Sequence, residues 1–202
     1  MNLPISLLTT PAAVVPVLET PDLILRAPLL SDLTDATSMH NDPAFYRFLG
    51  NKPENQEGVW RRLLGHLGHW ALLGYGTWAV EEKSTGRYIG GVGFFDLQRD
   101  LTPSISGVPE AGWVFAPRVH GRGYASQALQ AALAWADAHF TNAERITCII
   151  DPDNVASLRL AAKFGFQEYA RTTYHDEPIL LLERLKPTAS SSTEKHQAAA
   201  SI

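Results

Sequence analysis

The sequence contains one cysteine, Cys148, so it cannot form an internal disulfide and carries no sign of an oxidising compartment. It also lacks an excess of charge, since 17 Lys and Arg residues against 21 Asp and Glu give a net charge of -4. That balance gives no reason to expect nucleic acid or an anionic membrane as a partner. No apolar stretch is long enough to span a bilayer, and the first basic residue, Arg26, comes too late for a secretory signal with a basic start. Together these absences favour a cytoplasmic protein.

Composition divides the chain into three parts. A hydrophobic content of 45% over 202 residues suits one domain with a sizeable core, which we assign to residues 18–186. Residues 1–17 are apolar and rich in Pro and Thr, and are interpreted as an N-terminal arm. Residues 187–202 are mostly Ser, Thr, Ala and polar residues without apolar periodicity, so they are predicted to form a disordered tail.

Strand and helix patterns alternate through the domain. Apolar residues spaced three or four apart predict a long helix from Ala125 to Phe140, and Ser31 is predicted to cap an earlier helix that ends near His40. A short helix is expected after the turn at residues 41–43, and a longer one over residues 54–73. Apolar or alternating runs predict strands at residues 23–26, 77–81, 88–95, 113–115, 146–150, 166–173 and 179–184.

A glycine-rich loop joins the strand at residues 113–115 to the long helix. The first amides of a helix lack internal partners and lie at the positive end of its dipole, so a glycine-rich entry can bind a phosphate. The chain has no P-loop string, and a dinucleotide fingerprint fails because the glycines lie five residues past the strand and Ser126 replaces the third glycine. Residues 118–123, Arg-Val-His-Gly-Arg-Gly, fit the pattern Arg/Gln-x-x-Gly-x-Gly/Ala without a mismatch.

That hexapeptide resembles the acetyl-CoA pyrophosphate loop of the GNAT superfamily of N-acetyltransferases. Residues 110–117 resemble the family's fourth strand, which runs into the loop, and residues 154–166 resemble its Asn-x-x-Ser…Gly-Phe segment. Residues 18–26 resemble the opening strand of the branch that includes the ribosomal-protein N-terminal acetyltransferases. The resemblance covers about residues 18–185, with the motifs in the family's order.

The resemblance implies a mixed α/β domain with a central, mostly antiparallel twisted sheet, flanking helices, and central strands splayed at the acetyl-CoA site. It implies an acetyl-CoA-dependent N-acetyltransferase in which a primary amine attacks the thioester directly, without a metal. The acceptor would be a small-molecule amine, or a protein N-terminus or lysine, and the sequence leaves open whether the chain forms a homodimer. A non-catalytic acyl-CoA-binding module of the same fold is the alternative, and a nucleotide-binding oxidoreductase is a more distant one.

The same resemblance implies the cofactor contacts. The loop amides would hold the pyrophosphate with Arg118 and Arg122 as charged supports, the free amides of the fourth strand would pair with pantetheine, and the amide of Val114 would polarise the acetyl carbonyl. Asn154 would hydrogen-bond pantetheine, although it could instead cap the helix that follows it. The implied cofactor-binding residues are Val114, Ala116, Arg118, Val119, His120, Gly121, Arg122, Gly123, Tyr124, Ala125 and Asn154.

Two residues are candidates for proton transfer. Glu110 lies where the family often places a carboxylate, four residues before Val114, and could act as the base; it could equally be a solvated loop residue. Many family members carry a tyrosine acid seven residues after the asparagine, but Ala161 occupies that position here. Ser157 could place a hydroxyl near the sulfur instead, or make only first-turn hydrogen bonds.

Other clusters have simpler interpretations. His66 and His69 lie three residues apart but have no carboxylate or cysteine at ligand spacing, so a structural or surface role is favoured over a metal site. Tyr174 and His175 are candidates to line the acceptor entrance. A group of aromatic residues in the first half of the domain is expected to lie mostly in the core: Trp60, Trp70, Tyr75 and Trp78.

Overall fold

A computed structural model describes residues 15–186, so the predicted tail at residues 187–202 and most of the predicted arm lie outside the described residues. The last part of the arm packs on the domain. Val15 is only 2% exposed and belongs to the core, and the Pro16 carbonyl accepts a hydrogen bond of 2.8 Å from Trp78 Nε1.

Helices and strands alternate along the described chain. The strands are β1 (Leu18–Glu19), β2 (Leu23–Arg26), β3 (Thr77–Glu82), β4 (Arg87–Phe95), β5 (Glu110–Phe115), β6 (Arg145–Ile150), β7 (Gln167–Tyr174) and β8 (Glu177–Leu185). The helices are α1 (Asp32–His40), α2 (Pro43–Tyr46), α3 (Gln56–Leu73), α4 (Tyr124–His139) and α5 (Val155–Lys163), with a 3₁₀ turn at Pro117–Val119.

The strands form one sheet in the order β1-β2-β3-β4-β5-β6-β8-β7. Every neighbouring pair is antiparallel except β5 and β6, which are parallel and share a single register pair, Glu110 with Thr147. Beyond that pair the two central strands separate. This sheet confirms the predicted mixed α/β fold with splayed central strands.

The core surrounds β4, which is buried over residues 88–94. Because successive strand residues point to opposite faces, burial of the whole run means that both faces of the sheet are covered at β4. Trp70 and Trp78 lie in this core with their ring centroids 4.7 Å apart, as predicted, whereas Trp60 and Tyr75 are only half-buried. Within residues 15–186, the helices are all too short or too polar to cross a membrane.

Two helix starts differ from the sequence-based expectation. Ser31 precedes α1 but makes no capping hydrogen bond; instead the carboxylate of Asp32 accepts from the Leu29 amide at 2.8 Å and pairs with Arg26. Ser31 therefore occupies the predicted N-cap position, but its side chain makes no capping hydrogen bond. The long helix α3 starts at Gln56, two residues later than expected, because the side chain of Asn55 caps it.

Candidate active site around strand β5

The loop after β5 adopts a conformation that requires glycine. Gly121 and Gly123 have φ angles of 77° and 79°, in the left-handed region that side chains disfavour. A Cβ atom added at either position would have no neighbour within 4 Å. The glycines are therefore needed for backbone conformation rather than for close packing, and the space around the loop is open.

The loop leads into the start of α4, which has no capping side chain. Gly123 is the N-cap of α4 and offers no side chain to cap it, and Gln127 N donates to Gly123 O at 3.1 Å. The amides of Tyr124, Ala125 and Ser126 precede that first helical hydrogen bond and lie at the positive end of the helix dipole. This arrangement suits a bound diphosphate.

The set of available loop amides is narrower than the sequence predicts. Val119 N donates to Ala116 O at 3.0 Å and His120 N donates to Pro117 O at 3.1 Å, so the 3₁₀ turn already uses both amides. The prediction that Val119 and His120 contribute free amides is corrected, because the hydrogen bonds of this turn were not visible in the sequence pattern.

The backbone of β5 corrects two further predicted contacts. Ala116 N donates to Ile89 O at 2.9 Å, which directs this amide toward the β4 side. Val114 lies two residues earlier, opposite Gly91 in the same antiparallel ladder, and alternate residues of such a ladder turn their amides to the same neighbour. Val114 and Ala116 therefore face β4 and do not present free amides to the gap beside β6.

The intervening residues face that gap instead. On the β6 side, Thr147 N donates to Pro109 O at 2.9 Å, and residues of β5 at the same parity as Pro109 turn their backbone the same way. Trp113 and Phe115 are the members of this set beyond the point of separation. His120 Nε2 lies 3.0 Å from Phe115 O, so the His120 side chain holds the end of the strand.

Two loop arginines are held by protein groups. Arg118 Nη2 donates to Tyr88 O at 3.1 Å. Arg122 Nη1 donates to Glu82 Oε1 at 2.6 Å, and its guanidinium lies 4.5 Å from the centre of the Tyr124 ring. Both cations are therefore anchored to the sheet beside the loop, and their role as charged supports stays a prediction.

Glu110 begins β5 and is buried, with 3% of its surface exposed, so its interpretation as a solvated loop residue is wrong. Arg99 grips the carboxylate at both oxygens, through Nε at 2.8 Å and Nη2 at 3.0 Å. Burial raises the pKa of Glu110 above its ordinary value, and the hydrogen bonds and charge of Arg99 oppose that rise.

Arg99 is a site residue that the sequence did not indicate. It lies in the connection between β4 and β5, and its guanidinium is 4.7 Å from the ring centre of Tyr174, at the end of β7. The structure thus brings Glu110, Arg99 and Tyr174 together, and Tyr174 was a predicted entrance residue. Arg99 carries no motif, so only the tertiary contact with Glu110 identifies it.

The start of α5 lies beside the same strand. Asn154 Oδ1 accepts from Ser157 N at 3.1 Å, which is the capping alternative considered for this asparagine. Ser157 Oγ accepts from Trp113 Nε1 at 3.3 Å. Because the oxygen is the acceptor in that contact, the hydroxyl proton of Ser157 remains able to donate. Ala161, in place of the family tyrosine, is fully buried.

The histidine pair, His66 and His69, lies on α3. His69 Nδ1 lies 2.9 Å from Gly65 O, one turn earlier in α3. In the part of the chain that the structure describes, no group of three or more His, Cys, Asp or Glu side chains could hold a metal.

Comparisons with known proteins agree with this architecture. A family model described as an acetyltransferase (GNAT) domain matches residues 22–167. The uncharacterized protein YkkB of Bacillus subtilis (strain 168) is 30% identical over 168 residues, which cover 79% of this chain and 91% of YkkB.

Solved structures share the fold. One from Bordetella pertussis, assigned to the GNAT acetyltransferase family, is 30% identical with a TM-score of 0.73, covering 84% of this chain and 99% of that one. RimL, a ribosomal L7/L12 α-N-protein acetyltransferase solved with coenzyme A, is 17% identical with a TM-score of 0.67, covering 84% and 98%. The family model and the two relatives at 30% identity show that this chain belongs to the GNAT family of N-acetyltransferases.

Proposed function

We propose that this protein transfers an acetyl group from acetyl-CoA to a primary amine. The observation that carries the proposal is the separation of β5 from β6 beyond Glu110 and Thr147, next to the uncapped start of α4. The gap offers strand amides to an extended pantetheine arm and its acetyl group, and the helix start offers amides to a diphosphate. Acetyl-CoA has both parts in that order.

The residues present fit the cofactor at both places. The amides of Tyr124, Ala125 and Ser126 would hold the diphosphate, with Arg122 beside them. The amides of Trp113 and Phe115, rather than that of Val114, would pair with pantetheine and polarise the acetyl carbonyl. Fixed amides aimed at the developing oxyanion are a large source of catalysis in acyl transfer.

In the proposed reaction the amine nitrogen attacks the thioester carbonyl carbon, and the C–S bond then breaks to release the CoA thiolate. Glu110 takes the proton that the amine loses, directly or through water. Burial raises the pKa of Glu110, which favours proton uptake, and the hydrogen bonds and charge of Arg99 oppose that rise. Ser157, whose hydroxyl is held beside β5 by Trp113, relays a proton from solvent to the thiolate and so regains its own, and Glu110 returns its proton to solvent.

The acceptor is proposed to be a small-molecule amine, or a protein N-terminus or lysine. RimL, which shares the fold, is by its description an α-N-protein acetyltransferase, and this supports including N-terminal peptides among candidate acceptors. The Tyr174 ring, which lies against Arg99 beside the buried Glu110, supplies an aromatic surface for the acceptor next to the proposed base. We propose a cytoplasmic location for this reaction.

Two assays on the full chain test the proposal. Release of free thiol from acetyl-CoA should require an added amine when a panel of N-terminal peptides, lysine, amino acids and polyamines is screened. Calorimetric titration should show binding of CoA and none of NAD. Binding of CoA without thiol release for any amine would instead favour the non-catalytic acyl-CoA-binding module, and binding of NAD alone would overturn both.

A further inference from the structure

A buried carboxylate lies behind the cofactor loop. Glu82 ends β3 and is 6% exposed, yet it accepts hydrogen bonds from three side chains. Arg122 Nη1 and Tyr124 OH both donate to Oε1, at 2.6 and 2.9 Å, and Thr85 Oγ1 donates to Oε2 at 2.9 Å. Two of the three donors belong to the loop and to the first turn of α4.

The three side chains that donate to Glu82 favour its charged form. Hydrogen bonds from the Thr85 and Tyr124 hydroxyls lower the pKa of Glu82 below its ordinary value, and the Arg122 charge adds to that effect. Arg122 also lies over the Tyr124 ring, which fixes the plane of the guanidinium. The carboxylate is therefore ionised at neutral pH and bound to both partners.

The loop needs such an anchor because of its own composition. Glycine loses more conformational freedom on ordering than any other residue, and Gly121 and Gly123 flank Arg122 on both sides. Arg122 is the single residue between the two glycines, and it supplies the side chain. Its contact with Glu82 thus ties the backbone between the two glycines to the sheet.

We propose that Glu82 is a positioning residue for the cofactor diphosphate. It holds Arg122 and Tyr124 so that the loop and the first amides of α4 are already arranged before the cofactor arrives. Half of the Arg122 side chain is still exposed, so its remaining N–H groups are available to a phosphate. This inference rests on the proposed function, since it assigns Glu82 to the same diphosphate site.

The test compares two acetyl donors that differ in their phosphates. Acetyl-CoA carries the diphosphate, whereas S-acetyl-pantetheine has no phosphate and uses only the gap between β5 and β6. In Glu82→Gln, kcat/KM for acetyl-CoA should fall about tenfold, the effect expected from losing one charge-assisted anchor, while kcat/KM for S-acetyl-pantetheine should change less than about twofold. The calorimetric Kd for CoA should weaken by the same factor as kcat/KM.

Matched variants separate positioning from general damage. Glu183→Gln makes the same chemical change at a strand carboxylate on β8 that pairs with Arg145 at 2.7 Å, and should leave both donors unaffected. Tyr124→Phe keeps the Glu82–Arg122 pair but removes one donor, so it should show a smaller loss confined to acetyl-CoA. This variant carries the test if Glu82→Gln does not fold.

Equal losses with the two donors, or an unchanged Kd for CoA in both Glu82→Gln and Tyr124→Phe, would overturn the positioning role. A wild-type protein that binds no CoA would overturn the proposed function itself. The two failures are therefore distinguishable, because the first appears only in the variants and the second appears before any substitution is made.

Discussion

The two ends of β5 are built in opposite ways. At its start, Glu110 is paired with β6 through Thr147, buried, and gripped at both oxygens by Arg99. At its end, the strand has left β6, and the chain continues through two glycines into a helix that has no capping side chain. Five residue steps separate the ends, about 17 Å of extended strand.

This contrast assigns different work to the two ends. At the closed end, the start of β5, Arg99 supplies hydrogen bonds to both oxygens of Glu110. Such contacts suit a carboxylate whose proton affinity must be set. Among residues 15–186, the first amides of α4 at the open end receive no capping side chain, which suits recognition of an external anion. Substitutions at the closed end should therefore change turnover, and substitutions at the open end should change cofactor affinity.

The largest expected effect is at the closed end. Glu110→Gln keeps the size of the side chain but removes the proton acceptor, so kcat should fall roughly 10²-fold near neutral pH while the Kd for CoA is retained. Alkaline pH should recover part of the loss, because it supplies the free amine from solution. Wild-type turnover across the pH range would remove Glu110 from the mechanism.

The next effect is at the open end. Gly123→Val forces a branched side chain into a left-handed conformation and displaces the first amides of α4, so the Kd for CoA should weaken roughly 30-fold. Turnover at saturating acetyl-CoA should be largely kept. Gly74→Val is the control, because Gly74 has a similar φ of 74° at the end of α3 and equally open space around its Cβ position.

If Gly123→Val and Gly74→Val weaken CoA binding equally, the effect is one of folding strain rather than of the loop. Comparing their free energies of unfolding with their Kd values decides between the two explanations.

A third pair of variants adds a polar side chain at the open end with less strain than valine. Asp and Asn tolerate the left-handed region, and Asp adds a negative charge at the helix start. Gly123→Asp should bind CoA about tenfold more weakly than Gly123→Asn, by like-charge repulsion with the diphosphate, at equal or higher stability. Equal affinities for CoA in this pair would mean that the diphosphate does not bind near Gly123.

The pH dependence of kcat/KM tests the role of Arg99 at the closed end of β5. Arg99→Lys keeps the positive charge but loses the two-pronged contact, so less opposes the effect of burial and the pKa of Glu110 should rise further. A base is active when deprotonated, so activity falls as pH drops through its pKa. The acid limb of kcat/KM should therefore move to higher pH in Arg99→Lys, and an unmoved limb would separate Arg99 from the base.

The smallest effect on CoA binding is expected at the start of α5, which Asn154 already caps. Asn154→Ala removes the cap of α5 and should lower the free energy of unfolding by about 1 kcal/mol, whereas Asn154→Ser should retain most of it. If capping is the whole role, the Kd for CoA should be unchanged in both. Weaker CoA binding in Asn154→Ser, at retained stability, would show that the asparagine also contacts pantetheine.

Local patterns in the sequence predicted much of this architecture. The spacing of apolar residues gave the strand before the loop and the helix after it, and the glycines at 121 and 123 marked the open helix start. These features depend on neighbouring residues, so a pattern of a few positions contains them. The same holds for Asn154, whose capping contact with Ser157 spans three residues.

Features that depend on distant partners could not be predicted. The orientation of the amides of β5 is set by its register with β4, and for this reason the sequence pattern places the free amide at Val114, whereas the amides of Trp113 and Phe115 face the gap. Glu82 meets Arg122 across 40 positions, and Arg99 meets Glu110 across a loop without a motif. Such contacts form only when the sheet is assembled.

A crystal structure of the protein with CoA tests the central claim most directly. The account predicts diphosphate oxygens within hydrogen-bonding distance of the amides at residues 124–126, about 2.7–3.2 Å, and the pantetheine arm in the gap between β5 and β6. A diphosphate bound away from the start of α4, or an arm that leaves the gap empty, would contradict it.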